Sequence, residues 1–177
     1  LAAILSTGVS TLSDIERAVS VTGQSDTAIM HCVTAYPAPE EDYNLRVIGN
    51  LAAVMGLPVG VSDHSLDPVL VPAAAVALGA RAVEKHFTLS QAGGGLDDRI
   101  ALEPAQFSEM VAGIRDVEHR PSVEALHELG RRVGEDRVQR LLGDGAKRLA
   151  TSEQANYGRS NRSILATRDI AAGEPIG

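Results

Sequence analysis

The chain has 177 residues, 44% of them hydrophobic and 22% charged, an ordinary balance for one globular domain with a sizeable core. Aromatics make up only 3%, Trp is absent and the formal net charge is −7, which argues against a nucleic-acid platform of stacking rings or a phosphate-backbone binder. The single cysteine, Cys32, excludes an internal disulfide framework and predicts a reducing, cytoplasmic setting, and no run is apolar enough to predict a membrane partner or a leader.

Read in chain order, the first two-thirds repeats one unit. Residues 2–5 form a short apolar run that ends in Ser6-Thr7-Gly8. A helix is predicted next, capped by Thr11 with Asp14 three residues on, its apolar positions at Leu12, Ile15, Ala18 and Val19. "TAIMHCV" (27–33) reads as a second strand; Leu45, Ile48, Leu51, Ala52 and Met55 mark a second amphipathic helix closed by Gly56. "PVGV" is a third strand, and Pro72 opens the regular part of an Ala/Val-rich helix ending at Gly79. "RAVEKHF" is a fourth strand; Phe107, Met110, Val111, Ile114 and Val117 mark a fourth helix with Glu103-Pro104 at its start.

Four β-then-α units in succession predict an α/β fold of parallel strands with helical crossovers. A doubly wound sheet would usually show a Gly-rich turn after its first strand, and "STGVST" matches that fingerprint poorly. A (β/α)8 TIM barrel gathers its chemistry at the C-terminal ends of its strands, and all four strands here end in reactive or anion-friendly residues. The barrel is preferred, with only about half of it present, because a whole one takes about 250 residues. Residues 1–120 would supply these units, residues 121–158 a helical connecting segment on the outside, and residues 159–177, with the alternating "NRSILATRDIAAGE", the beginning of a small β-rich module. The strand-like opening without Met and the turn at the end predict a longer parent protein.

The strand ends carry the candidate chemistry. His64 and His86 close the third and fourth strands; neighbouring parallel strands lie about 4.8 Å apart, so two imidazoles there can converge on one divalent metal. Asp63 and Glu84 precede them and could orient a ring, bind water or contact substrate. Ser6, Thr7 and Gly8 end the first strand before a helix, where hydroxyls and free backbone N–H groups make an anion site, and Ser62 adds a hydroxyl at the same mouth. Tyr36 sits in a Pro-bounded loop that could hold its phenol over the mouth. His31 and Cys32 read equally as core or functional groups. In the "QAGGGLDD" loop, Asp97 or Asp98 could meet a polyhydroxylated substrate, whereas Glu40 to Asp42 are read as favouring a helix N-terminus.

These stretches resemble the sialic acid synthase family, which comprises the N-acetylneuraminate, legionaminic and pseudaminic acid synthases and their spore-coat polysaccharide relatives. The likeness runs in order through "ILSTG", "HCVTAYPAPEEDYNLR", "PVGVSDHSL", "AVALGARAVEKHFTL", "GGGLDD", "LEP" and "NRSILATRDIAAGE"; "SDH" followed by "EKHFTL" is its most specific part. The resemblance implies a TIM barrel followed by an antifreeze-like SAF module, and condensation of phosphoenolpyruvate with an N-acetylated hexose such as N-acetylmannosamine, with release of phosphate. It implies a divalent metal, Mn2+ or Mg2+, held by His64 and His86. Ser6 and Ser62 resemble groups that hold the phosphate, Tyr36, Glu84 and Asp97 resemble residues near the sugar, and Thr34 stands where some members have Asn or Ser. The family's phosphoenolpyruvate-gripping lysines belong to earlier strands, and neither Lys85 nor Lys147 matches them. A domain-swapped homodimer is also implied, the SAF module lending an Arg to the partner's site. Against this stand a non-catalytic metal- or anion-binding relative and another barrel enzyme that condenses phosphoenolpyruvate with phosphorylated aldoses.

Overall fold

The computed structural model describes residues 2–23, 26–158 and 166–175. Four strands, β1 (Ala3–Ser6), β2 (Thr27–Cys32), β3 (Val59–Asp63) and β4 (Val83–Lys85), form one sheet in the order β1-β2-β3-β4. Every neighbouring pair is parallel: Ser6 lies opposite Met30, Cys32 opposite Ser62, and Ser62 opposite Glu84. Helices α1 (Leu12–Thr22), α2 (Val47–Met55) and α3 (Leu70–Ala77) make the crossovers, and α4 (Pro104–Val117) follows β4. Strand order that follows chain order makes this half of a barrel wall, as expected.

Local chemistry explains the boundaries. Thr11 and Asp14 form a reciprocal capping box at the start of α1, the Asp14 carboxylate accepting the Thr11 amide at 2.8 Å. Gly56 ends α2 in the left-handed conformation, φ 64°, which glycine adopts without steric cost. Helix α3 starts at Leu70, ahead of the expected Pro72, because the Asp67 carboxylate accepts the amides of Val69 and Leu70, each at 3.0 Å. β4 is shorter than the predicted run. Beyond it, Phe87 bridges to Leu102 and the Leu102 amide donates to the His86 carbonyl at 2.8 Å.

Side chains alternate between the two faces of each strand. Ile29, Val33, Val59 and Val61 point toward the helices and are buried with Ile48, Leu51, Leu70 and Ala74 in the main core. Ser6, Met30, Cys32, Gly60, Ser62 and Glu84 occupy the opposite face by alternation, where Ile4 and Glu84 are exposed. A Cβ on Gly60 would lie 2.6 Å from the Ala82 carbonyl and the Met30 sulfur, so only glycine fits that position.

Downstream, α5 (Ser122–Val133) and α6 (Glu135–Leu142) break at Gly134, φ 99°. They are more than an outer connector: Ala125, Leu129, Val138, Leu141 and Leu142 belong to the main core. The amides of Leu45 and Arg46 donate to the carbonyls of Leu141 and Leu142. Residues 143–153 then pass back over the C-terminal ends of β1 and β2. Asn44 anchors this strap, accepting from the Gly145 amide at 2.7 Å and donating to the Ala146 carbonyl at 2.9 Å. Residues 166–175 contain no strand; residues 159–165, where the expected β-rich module begins, lie outside the described residues. Among the described residues, no helix is long and apolar enough to cross a membrane.

Candidate functional site at the strand ends

The barrel geometry brings most of the candidate residues to one mouth. Ser62, on the inner face of β3, donates to Glu84 Oε1 across the strand pair at 2.9 Å. One step beyond these two residues stand His64 and His86, with ring centres 5.3 Å apart. Tyr36 reaches over from the loop after β2 and stacks on His64 at 4.2 Å, meeting His86 edge-on at 5.9 Å. Asp97 comes from the loop after β4, its Oδ2 lying 3.8 Å from His86 Nδ1. Asp98 instead folds back on its own loop and accepts the Gly95 amide at 2.7 Å.

Each histidine is held differently. His64 Nδ1 lies 2.8 Å from the Val33 carbonyl; a carbonyl only accepts, so Nδ1 carries the proton and Nε2 of the neutral ring keeps its lone pair. Burial lowers the His64 pKa, assisted by the neighbouring His86, which favours this neutral, ligating form. The two imidazoles are the side chains at this mouth that could hold a divalent cation. Among the described residues no group of three or more His, Cys, Asp or Glu side chains is arranged to hold a metal.

Asp63 does not face this mouth, contrary to the role considered for it. Alternation turns it to the helix side, where it is fully buried. Its Oδ2 accepts Lys85 Nζ at 2.8 Å, and its Oδ1 accepts the Tyr43 hydroxyl at 2.7 Å and the Ser65 amide at 2.8 Å. The Tyr43 hydroxyl in turn accepts the His64 amide at 2.7 Å. Burial pushes the Tyr43 pKa up, and the adjacent Asp63 carboxylate adds to the rise. Asp63, Tyr43 and Lys85 thus form a buried polar frame behind His64.

At the other edge, Ser6 is exposed at the end of β1, and Thr34 follows β2. The two strand ends are close: a Cβ on Gly8 would lie 1.9 Å from Thr34 Oγ1. Thr7 is not brought to the mouth. It is buried, and its hydroxyl donates to the Met30 carbonyl at 3.1 Å. The backbone N–H groups expected to be free in this turn are partly taken, the Thr7 amide by Met30 and the Val9 amide by Glu153. His31 lies on the helix side with Nε2 2.5 Å from the Tyr43 carbonyl, and burial lowers its pKa to about 4. Cys32 lies on the inner face, where burial raises its thiol pKa. Its Sγ is 3.9 Å from Thr34 Oγ1.

Sequence reasoning passed over Tyr43 and Glu153, and weighed Lys147 only as a phosphoenolpyruvate-gripping lysine that it does not match. Tyr43 had a signal, since a phenol that must be buried needs a partner for its hydroxyl. Lys147, which donates to the Thr7 carbonyl at 3.1 Å, and Glu153 had none, because their partners lie more than a hundred residues upstream.

Comparison with known proteins fits this arrangement. Over 175 residues the chain is 39% identical to the spore coat polysaccharide biosynthesis protein SpsE of Bacillus subtilis, covering 97% of this chain and 45% of that protein. It is 35% identical over 176 residues to the N,N'-diacetyllegionaminic acid synthase of Campylobacter jejuni, covering 97% of this chain and 46% of the synthase. The crystal structure of Bacillus subtilis SpsE superposes with a TM-score of 0.69 at 39% identity, covering 85% of this chain and 41% of that one. The chain thus spans about half the length of the curated relatives it matches. Residues 2–124 match the NeuB family, and that match embraces every strand end of the candidate site, so the chain belongs to the NeuB family.

Proposed function

We propose that this chain is the second half-barrel of a sialic-acid-type synthase that condenses phosphoenolpyruvate with an N-acetylated hexose, such as N-acetylmannosamine, to a nine-carbon 2-keto sugar acid. The observation that carries the reading is the convergence of His64 and His86 beside the Ser62–Glu84 pair at adjacent strand ends. Membership of the NeuB family supports it, as do relatives named as legionaminic and pseudaminic acid synthases.

In this reading His64 and His86 hold Mn2+ or Mg2+, which when bound supplies Lewis acidity toward the aldehyde of the open-chain sugar. The hydroxyls of Ser6, Thr34 and Ser62 hold the phosphoenolpyruvate by hydrogen bonds to its anionic oxygens. The enol carbon bonds to the aldehyde carbon, whose oxygen takes up a proton to become a hydroxyl; water then adds at the cationic carbon bearing the phosphate, the C–O bond to phosphate breaks, and the ketone forms as the second water proton leaves with the phosphate. Glu84, fixed by the Ser62 hydroxyl, takes the proton from that water. Tyr36 stacks over His64 and, with Asp97, borders the space for the sugar. The SAF module opening in residues 159–177 and a domain-swapped homodimer belong to the same proposal. Residues 1–177 alone turn over no substrate, because the phosphoenolpyruvate-gripping lysines come from the first half-barrel.

The test is release of inorganic phosphate from phosphoenolpyruvate and N-acetylmannosamine with Mn2+, run on residues 1–177 and on the full-length protein side by side. H64A in the full-length protein abolishes metal-dependent release. An unchanged rate removes His64 from the mechanism, and turnover by residues 1–177 overturns the dependence on the first half-barrel.

A further inference from the structure

The strap at residues 143–153 ends in a carboxylate that is not on the surface. Glu153 is 1% exposed. Its Oε1 accepts two amides, from Val9 at 2.8 Å and Thr34 at 2.7 Å, and its Oε2 accepts the Ala150 amide at 3.1 Å. Those first two amides belong to different strand ends, the turn after β1 and the second residue past β2. One oxygen atom thus joins them, from a position 144 residues beyond Val9 and 119 beyond Thr34.

Two neighbouring features show that this junction is set closely. Val9 has φ 45°, a left-handed conformation that a β-branched residue adopts only when its surroundings impose it. Gly8, just before it, packs so near Thr34 that any side chain would collide with the Thr34 hydroxyl. The residues so fixed are the flanks of Ser6 and Thr34, two hydroxyls of the candidate anion site.

We infer that Glu153 is a positioning residue: by bonding the Val9 and Thr34 amides with one carboxylate oxygen, it sets the spacing of Ser6 and Thr34 and thereby the grip on the anionic substrate. This rests on the proposed synthase reading. What matters for this role is reach, since the side chain must span from the strap to both amides. Glutamine keeps an oxygen at that reach. Aspartate keeps the charge but falls one methylene short.

The inference is tested in the full-length protein with E153A, E153D and E153Q. Loss of a ground-state grip raises KM for phosphoenolpyruvate, by about tenfold in E153A and E153D, with kcat within about threefold and KM for N-acetylmannosamine little changed. E153Q restores KM for phosphoenolpyruvate to within about threefold of the parent. If E153A does not fold, the contrast between E153D and E153Q decides. Equal KM values in E153D and the parent, or an E153Q as impaired as E153D, overturn the inference. A second readout needs no turnover: amide hydrogen exchange at Val9 and Thr34 speeds up in E153D and stays slow in E153Q. Absence of activity in the parent would defeat the synthase reading alone. Unchanged exchange at these two amides in E153D would defeat the positioning role alone.

Discussion

The two histidines of the candidate site stand on neighbouring strands, yet their supports differ in kind. Behind His64 lies a closed frame: the Lys85–Asp63 ion pair, with both side chains essentially inaccessible, joined through the Tyr43 hydroxyl to the His64 amide. His86 has its backbone held by the Leu102 bridge, while its side chain is 30% exposed and faces a carboxylate at 3.8 Å. One ring is fixed before any ligand arrives; the other can adjust. In the proposed synthase, such a pairing would keep one ligand in place while the second adjusts.

The largest effect that would sharpen this contrast is removal of Lys85. K85M leaves Asp63 as an uncompensated buried charge and destabilises the protein by about 3–5 kcal/mol, read by chemical denaturation; a loss below about 1 kcal/mol would break the picture of a buried frame. Y43F comes next. It strands the His64 amide and removes one of the two donors to Asp63 Oδ1, costing about 1–3 kcal/mol, and at the proposed metal site it weakens Mn2+ binding more than it weakens folding, as calorimetry on the purified variant would show.

A pH dependence follows from His31, which supports the Tyr43 carbonyl from the same side of the sheet. Its pKa is lowered from 6.5 to about 4 by burial, so between those values the unfolded chain takes up a proton that the folded chain refuses. Stability is complete above pH 6.5 and falls as pH drops toward 4. H31N flattens that slope in denaturation curves measured across the window. The smallest effect is D97N, beside His86. With Asp97 45% exposed, the change moves stability by less than about 0.5 kcal/mol. Any larger shift would mean that His86 is held as firmly as His64.

Much of the fold was legible because its signals are local: the Thr11–Asp14 box, Gly56 after an apolar stripe, Glu103-Pro104 before another. The placement of Ser62, Glu84, His64 and His86 together at adjacent strand ends was legible too, because it follows from the β-then-α repeat. The readings of Asp63 and Thr7 overlooked alternation. Each is one position away from a mouth-facing residue, and period-two geometry turns it to the helices. Lys85 sits between Glu84 and His86 and obeys the same rule, so its pairing with Asp63 could have been inferred once the two strands were taken as neighbours. Glu153 could not, since no spacing rule connects a strap to a turn 144 residues earlier.

That long connection also has a consequence for biosynthesis. As the chain leaves the ribosome, the turn at Val9 is made early, but the oxygen that satisfies its N–H arrives only when residue 153 has been added. The turn after β1 therefore gains this bond only once every strand of the sheet has been synthesised.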